Sequence, residues 1–214
     1  MTLADIGGGH LAGFHYAHVP ARTGDPGWTA VGFHGTGGDE YAMLGFLGDL
    51  TAAPVLSPRG RVPEGGANRF FRRYAEGVFD EKNIRGEAEA LRGFLAQAAE
   101  AHGLAGRRLV AVGYSNGANI AAAMMLLFPG VFAGAVLLRP MMMFADAPAA
   151  GAAPSRVLAL SGERDPICPP ESARRLAAAL EAAGAELDHR WFPTGHQLTG
   201  GDQDAALRWL RGFA

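Results

Sequence analysis

Val110-Ala111-Val112-Gly113-Tyr114-Ser115-Asn116-Gly117-Ala118-Asn119-Ile120 reads as a buried strand, a forced turn and a helix, with one serine at the apex. Val110 to Val112 are apolar and favour the extended chain, as a strand covered on both faces requires. Ala118 to Leu127 are almost all Ala, Met, Leu and Ile, which suit a buried helix. A strand that turns at once into a helix crowds its own backbone, so small residues are needed two before and two after the apex. Gly113 and Gly117 stand there. Ser115 then projects beyond the sheet at a helix N-terminus, where backbone N–H groups can meet an oxyanion. The competing reading is a chance Gly/Ser turn, and the strand before and helix after count against it.

Outward from this stretch, apolar segments alternate between strand and helix character. Strands are expected at 14–19 (as an edge strand), 28–33, 55–57, 107–113, 133–138, 156–160 and 187–192. Helices are expected from Asp39, as cap, through 40–50, and over a strongly periodic segment where Ile84, Ala88, Leu91, Phe94, Leu95 and Ala98 share one face before Gly103. Others follow Ser115, start at Pro170 and end at Gly184, and cover 204–210. This order predicts an α/β fold with a mainly parallel central sheet, helices on both faces and no cap domain. The 214 residues form one expected domain, 1–214; the Ala/Pro/Gly stretch 145–154 is too short to divide it.

A formal net charge of −2 argues against nucleic acid or an anionic membrane as partner. The single cysteine, Cys168, excludes an internal disulfide and fits a reducing cytoplasm; with no neighbouring motif it reads as inert. The N-terminal stretch Met1 to Gly9 shows no signal-peptide pattern, and Ile120 to Leu138, the longest apolar run, is broken at Pro129-Gly130.

Ligands in open α/β sheets bind beyond the carboxyl ends of the strands. Four polar signals fall there: Ser115, Asp165, His196 and the loop His34-Gly35-Thr36-Gly37-Gly38. A serine hydroxyl needs an imidazole to take its proton, and the imidazole needs a carboxylate to fix its tautomer. The chain order Ser, acid, His matches that need on an α/β scaffold. Of seven histidines, only His34 and His196 lie in loops at that edge. His10 reads as part of a flexible terminus, His15, His18 and His189 as strand residues, and His102 as a solvated helix cap. Glu163 is the rival to Asp165. The oxyanion donors expected are the N–H groups of Asn116 and Thr36; a phosphate-binding loop would want a Gly-Lys-Ser/Thr that is missing here. Arg69, Phe70, Phe71, Arg72 and Arg73 read either as a pocket rim for an acidic or aromatic substrate or, more simply, as a solvated basic turn with two core phenylalanines. Met141 to Phe144 suit a substrate pocket or the core equally.

Several motifs together resemble the phospholipase/carboxylesterase group of α/β-hydrolases over nearly the whole chain. They are His34 to Glu40, Leu56-Ser57-Pro58-Arg59-Gly60, Arg69 to Arg73, Gly113 to Ile120, Leu137-Leu138-Arg139-Pro140-Met141, Gly162 to Pro166 and Gly195-His196. The branch most resembled is that of the small bacterial carboxylesterases associated with hydroquinone tolerance. The resemblance implies Ser115, Asp165 and His196 as catalytic triad, cap-less activity on short acyl esters without cofactor or metal, and often a homodimer. Two features depart from neighbouring groups: Tyr114-Ser115-Asn116-Gly117 replaces the Phe-Ser-Gln-Gly of acyl-protein thioesterases, and Ser115 stands where dienelactone hydrolases carry cysteine. The expected function is a serine carboxylesterase on small-molecule esters. Lysophospholipase or thioesterase activity with the same triad is the alternative, and a scaffold that only binds ligand is the reading from a different class.

Overall fold

A computed structural model describes residues 6–148, 151 and 153–213. Residues 1–5, part of the N-terminal segment considered above, and 149, 150 and 152, part of the 145–154 stretch, lie outside the described residues.

Eight strands form the main sheet: β1 (Gly7–Leu11), β2 (Phe14–Val19), β3 (Trp28–Phe33), β4 (Val55–Pro58), then β9 (Arg108–Tyr114), β10 (Gly134–Leu138), β11 (Ser155–Gly162) and β12 (Ala185–Phe192). Their spatial order is β1-β2-β4-β3-β9-β10-β11-β12. Only the pairs β1–β2 and β2–β4 are antiparallel. Between β4 and α2 (Glu81–Ala101) the chain makes two short hairpins, β5 (Val62–Glu64) with β6 (Ala67–Arg69) and β7 (Arg73–Ala75) with β8 (Val78–Phe79).

Alternate residues of the central strands feed two cores, as a pleat requires. Ala111, Ala135 and Leu137 pack toward α2, α3 (Asn116–Leu127) and α4 (Pro170–Ala182). Val110, Val112, Val136 and Leu138 pack toward α1 (Leu44–Leu50) and α5 (Gly200–Arg211). All six residues named for one face of α2 are buried there. Asp80 caps α2, accepting from the Asn83 N–H at 3.0 Å, and Gly103 at φ +66° follows its end.

Four expectations are corrected. The strand 14–19 is not the edge: β1 lies outside it, with His10 opposite His15, so His10 is a strand residue. The three glycines of β1 have poor strand propensity, and pairing with β2 overrides it. Helix α1 starts at Leu44, because the Asp39 carboxylate accepts from the Tyr41 N–H and makes a local turn instead of a cap. Helix α5 starts four residues early, at Gly200, behind a Thr199/Asp202 capping box. His102 is the C-cap of α2, as expected, but its ring is not simply solvated: it stacks on His18 at 3.8 Å between ring centroids and shares a hydrogen bond with the Tyr16 hydroxyl at 2.9 Å.

Among the described residues, the connection between β10 and β11 holds no helix or strand, so no cap is built there. Among those residues, no helix is long and apolar enough to cross a membrane.

Candidate active site

The site lies where the strand order reverses, between β3 and β9. Connections leave these two strands in opposite directions, and a crevice opens beyond their carboxyl ends. The turn after β9 is as tight as its glycines suggest. A Cβ on Gly113 would sit 2.6 Å from the Gly117 carbonyl, and one on Gly117 would sit 2.1 Å from the Phe33 carbonyl oxygen. The second contact presses the start of α3 against the loop that carries Thr36. Ser115 itself holds φ +52°, ψ −115°, a strained conformation for a residue with a Cβ. Its N–H donates to Leu138 O at 2.8 Å and its carbonyl accepts from Asn119 at 2.9 Å, which fix the turn.

Asp165 and His196 arrive on two loops clamped together after β11 and β12. Gly162 packs so closely on Gly195 that a Cβ would lie 2.4 Å from the Gly195 oxygen. The N–H groups of Glu163 and Arg164 donate to Phe192 and Thr194. The result is a continuous relay: Ser115 Oγ lies 3.0 Å from His196 Nε2, and His196 Nδ1 lies 2.8 Å from Asp165 Oδ2. The other Asp165 oxygen accepts from the N–H groups of Ile167 and Cys168 at 2.8 and 2.9 Å, so the carboxylate cannot rotate away from the ring. Glu163 is exposed and takes no part.

A cavity of about 310 Å³ opens over Ser115 and His196. Thr36, Asn116 and Met141 line it, and so does Arg69. Arg69 is only 3% exposed, which corrects the simpler reading of a solvated basic turn. Arg72 points elsewhere, to Asp80, whereas Arg73 pairs with Glu64 and Glu76 and, like Glu76, also lines the cavity. Phe70 is placed differently from the expectation of a substrate contact. Its ring is in the core against Phe33 and His34, and its backbone N–H donates to Asn116 Oδ1 at 2.8 Å. Arg69 donates to Thr36 Oγ1 at 2.7 Å. The excursion after β4 therefore grips both residues expected to meet an oxyanion.

Two holding devices escaped sequence reasoning. His34, fully buried, faces Gly35 O through Nδ1 at 2.7 Å and accepts from the Gly60 N–H through Nε2 at 2.8 Å. This pattern needs the neutral ring, and burial pushes its pKa below the ordinary value. The imidazole clasps the excursion to β3. Arg139, fully buried at φ +54°, makes a bidentate ion pair with buried Asp202, at 2.7 and 2.8 Å. The same guanidinium donates to Gly195 O and Gln197 O, at 3.1 and 2.9 Å, on either side of His196. Tyr114 adds a hydrogen bond to the His196 carbonyl at 3.1 Å. The only sequence signal for the clamp was the pattern Leu138-Arg139-Pro140, a charge straight after a fully apolar strand; Asp202 carried no signal beyond a capping residue.

Residues 67–205 match the dienelactone hydrolase family, which corrects the expectation that Ser115 in place of cysteine sets the chain apart from that group. MhqD of Bacillus subtilis (strain 168), a protein named as a hydrolase, is 39% identical over 180 residues, covering 83% of this chain and 90% of that protein. A crystallised carboxylesterase of Bacillus cereus is 36% identical with a TM-score of 0.87, over 93% of this chain and 94% of that one. A carboxylesterase of Mesorhizobium loti is 32% identical with a TM-score of 0.88, over 97% and 99%.

Proposed function

The chain belongs to the dienelactone hydrolase family, and from that premise we propose that it is a serine carboxylesterase of small, short-acyl esters, with Ser115 as nucleophile, His196 as base and Asp165 as the carboxylate that orients the base. The observation that carries the proposal is the unbroken relay from Ser115 Oγ through both ring nitrogens of His196 to Asp165, opening on a cavity. Its chemistry is that of acyl transfer. With Nδ1–H donated to Asp165, Nε2 is free to take the Ser115 proton as the oxygen attacks the ester carbonyl. The developing oxyanion is met by the N–H groups of Asn116 and Thr36, already held in place and needing no reorganisation. Nε2 returns the proton to the leaving alcohol, and water repeats the cycle on the acyl-enzyme.

The cavity volume supports a small substrate, because about 310 Å³ is near the lower limit of the roughly 300–1,000 Å³ that small-molecule sites span. Cys168 beside the relay is no rival nucleophile: burial pushes its thiol far above the ordinary range, and the reactive form is the thiolate.

The test is Ser115→Ala on purified protein with p-nitrophenyl esters of rising chain length. The expected outcome is loss of about four orders of magnitude in kcat or more, with acetyl and butyryl esters outpacing palmitoyl for the unaltered chain. Full turnover by the alanine variant, or a preference for palmitoyl, would reject the corresponding part of the reading.

A further inference from the structure

Cys168 is a soft, metal-ligating side chain that the proposed chemistry leaves unused, and it does not stand alone. Its Sγ, an imidazole nitrogen of His196 and a carboxylate oxygen of Asp165 all lie within 4.8 Å of one another. We propose that these three residues form an inhibitory site for a borderline-soft divalent cation, Zn²⁺ or Cd²⁺, whose binding disconnects His196 from Ser115. The inhibitory consequence rests on the roles given above to Ser115 and His196; the binding does not.

Thiolate, imidazole and carboxylate are the three ligand types zinc takes, at roughly 2.0–2.3 Å, and three protein ligands leave a fourth position open. At tetrahedral angles ligand atoms around such an ion stand roughly 3.3–3.6 Å apart. The edges to Sγ, at most 4.8 Å, must therefore shorten by up to about 1.5 Å, while the His196 Nδ1–Asp165 Oδ2 edge of 2.8 Å opens by roughly 0.5 Å. Cys168 and His196 both line the cavity, and Asp165, with a fully buried side chain, lies behind them, so the ion enters on the thiol–imidazole side, where its fourth ligand also has a place. The donor set is also oriented beforehand. Asp165 Oδ1 is held by the Ile167 and Cys168 N–H groups, and Cys168 sits between Pro166 and Pro169 on a short stiff segment. Outer hydrogen bonds of this kind sharpen metal sites.

Binding balances without redox chemistry. The ion takes the thiol sulfur, and the thiol proton, now donated to the Arg139 carbonyl over 3.2 Å, leaves to solvent. Nδ1 of His196, 2.8 Å from Asp165, gives up its proton to ligate the ion while Nε2 gains one. The ring stays neutral, but the nitrogen facing Ser115 has become a donor and can no longer accept the hydroxyl proton.

Chelator-stripped protein is titrated with ZnCl2 and CdCl2, and the ester-hydrolysis rate of each variant is divided by its own metal-free rate. The unaltered chain is expected to lose activity and recover it with EDTA. Cys168→Ala and Cys168→Ser are expected to need roughly tenfold more metal or above for the same loss. Cadmium–thiolate absorption in the ultraviolet reads binding without turnover. It is expected in the unaltered chain and in Ser115→Ala, and not in Cys168→Ala. Inhibition of equal potency in both cysteine variants would overturn the proposal and move attention to the pairs His10–His15 and His18–His102. A missing absorption band in the unaltered chain would overturn it as well. A chain without esterase activity that still shows the band would reject the proposed function and keep the metal site.

Discussion

His34 and His196 occupy equivalent places, each in a loop just beyond the carboxyl end of a strand, yet their surroundings give them opposite work. Both ring nitrogens of His34 face backbone groups, Gly35 O and Gly60 N–H, in a fully buried setting. Peptide groups do not change charge near neutral pH, so this ring has no proton-transfer partner and serves as a neutral bracket between β3 and the excursion after β4. His196 faces a hydroxyl on one side and a carboxylate on the other, with 17% of its side chain open to the cavity. A hydroxyl can give up a proton and a carboxylate can stabilise the resulting cation, so these partners suit the ring to the role of base proposed for it. The partners, more than the residue type or the loop, separate a fastener from the proposed base.

The sharpest way to break that contrast is to remove each ring. His196→Ala is expected to lower kcat by about four orders of magnitude while the thermal midpoint moves little, because the ring lies partly in the open cavity. A small kinetic effect would return the base to an unassigned residue.

Next in size is the clamp beneath His196. Arg139→Met leaves Asp202 buried without its partner, at a cost of about 3–5 kcal/mol, measured by urea unfolding. Pairing it with Asp202→Leu should restore much of that stability, because a well-packed apolar pair replaces the ions. If Arg139 positions His196 through Gly195 and Gln197, the stable double variant will still show a depressed kcat with KM nearly unchanged. Full recovery of kcat would reduce the ion pair to a structural element.

His34→Ala sits below these. Gly60 N–H loses its buried acceptor, for a cost of about 1–3 kcal/mol, and kcat/KM should fall less than tenfold as the excursion loosens over Thr36. A kinetic loss as large as that of His196→Ala would abolish the distinction.

The smallest effect concerns a third histidine. Burial, and then the charge of His102, push the pKa of His18 down from 6.5 to about 4. The unfolded chain therefore takes up the proton first as the solution is acidified. Stability is complete above 6.5 and is lost progressively toward about 4. His18→Phe, which keeps a ring against His102, should flatten the fall of the melting temperature across that window. An unchanged slope would assign the acid sensitivity to His34 and His189, both also held low by burial.

Legibility followed the range of the forces involved. Ser115 was readable because Gly113 and Gly117 satisfy a constraint within one turn of chain. Asp165 and His196 were readable because each follows an apolar strand on a scaffold whose strand order fixes where their loops meet. The grip of Arg69 on Thr36 and of Phe70 on Asn116 was not, since residues 58–83 carry no periodicity. Their two hairpins turn on Gly65-Gly66 and Gly77, all at positive φ, and two-residue glycine turns suit such hairpins without saying what they cover.

By itself, the sequence determined the alternation of strands and helices, the sharp turn at Ser115 and the chain order of hydroxyl, carboxylate and imidazole, because hydrophobic periodicity and backbone crowding are local. Only the tertiary structure decided that β1 forms the edge, that His34 is a bracket, that the buried Arg139–Asp202 pair holds the His196 loop, and that Cys168 stands beside the relay. Each depends on contacts between residues far apart in the chain, and a long-range contact leaves no pattern in the sequence until folding brings its two ends together.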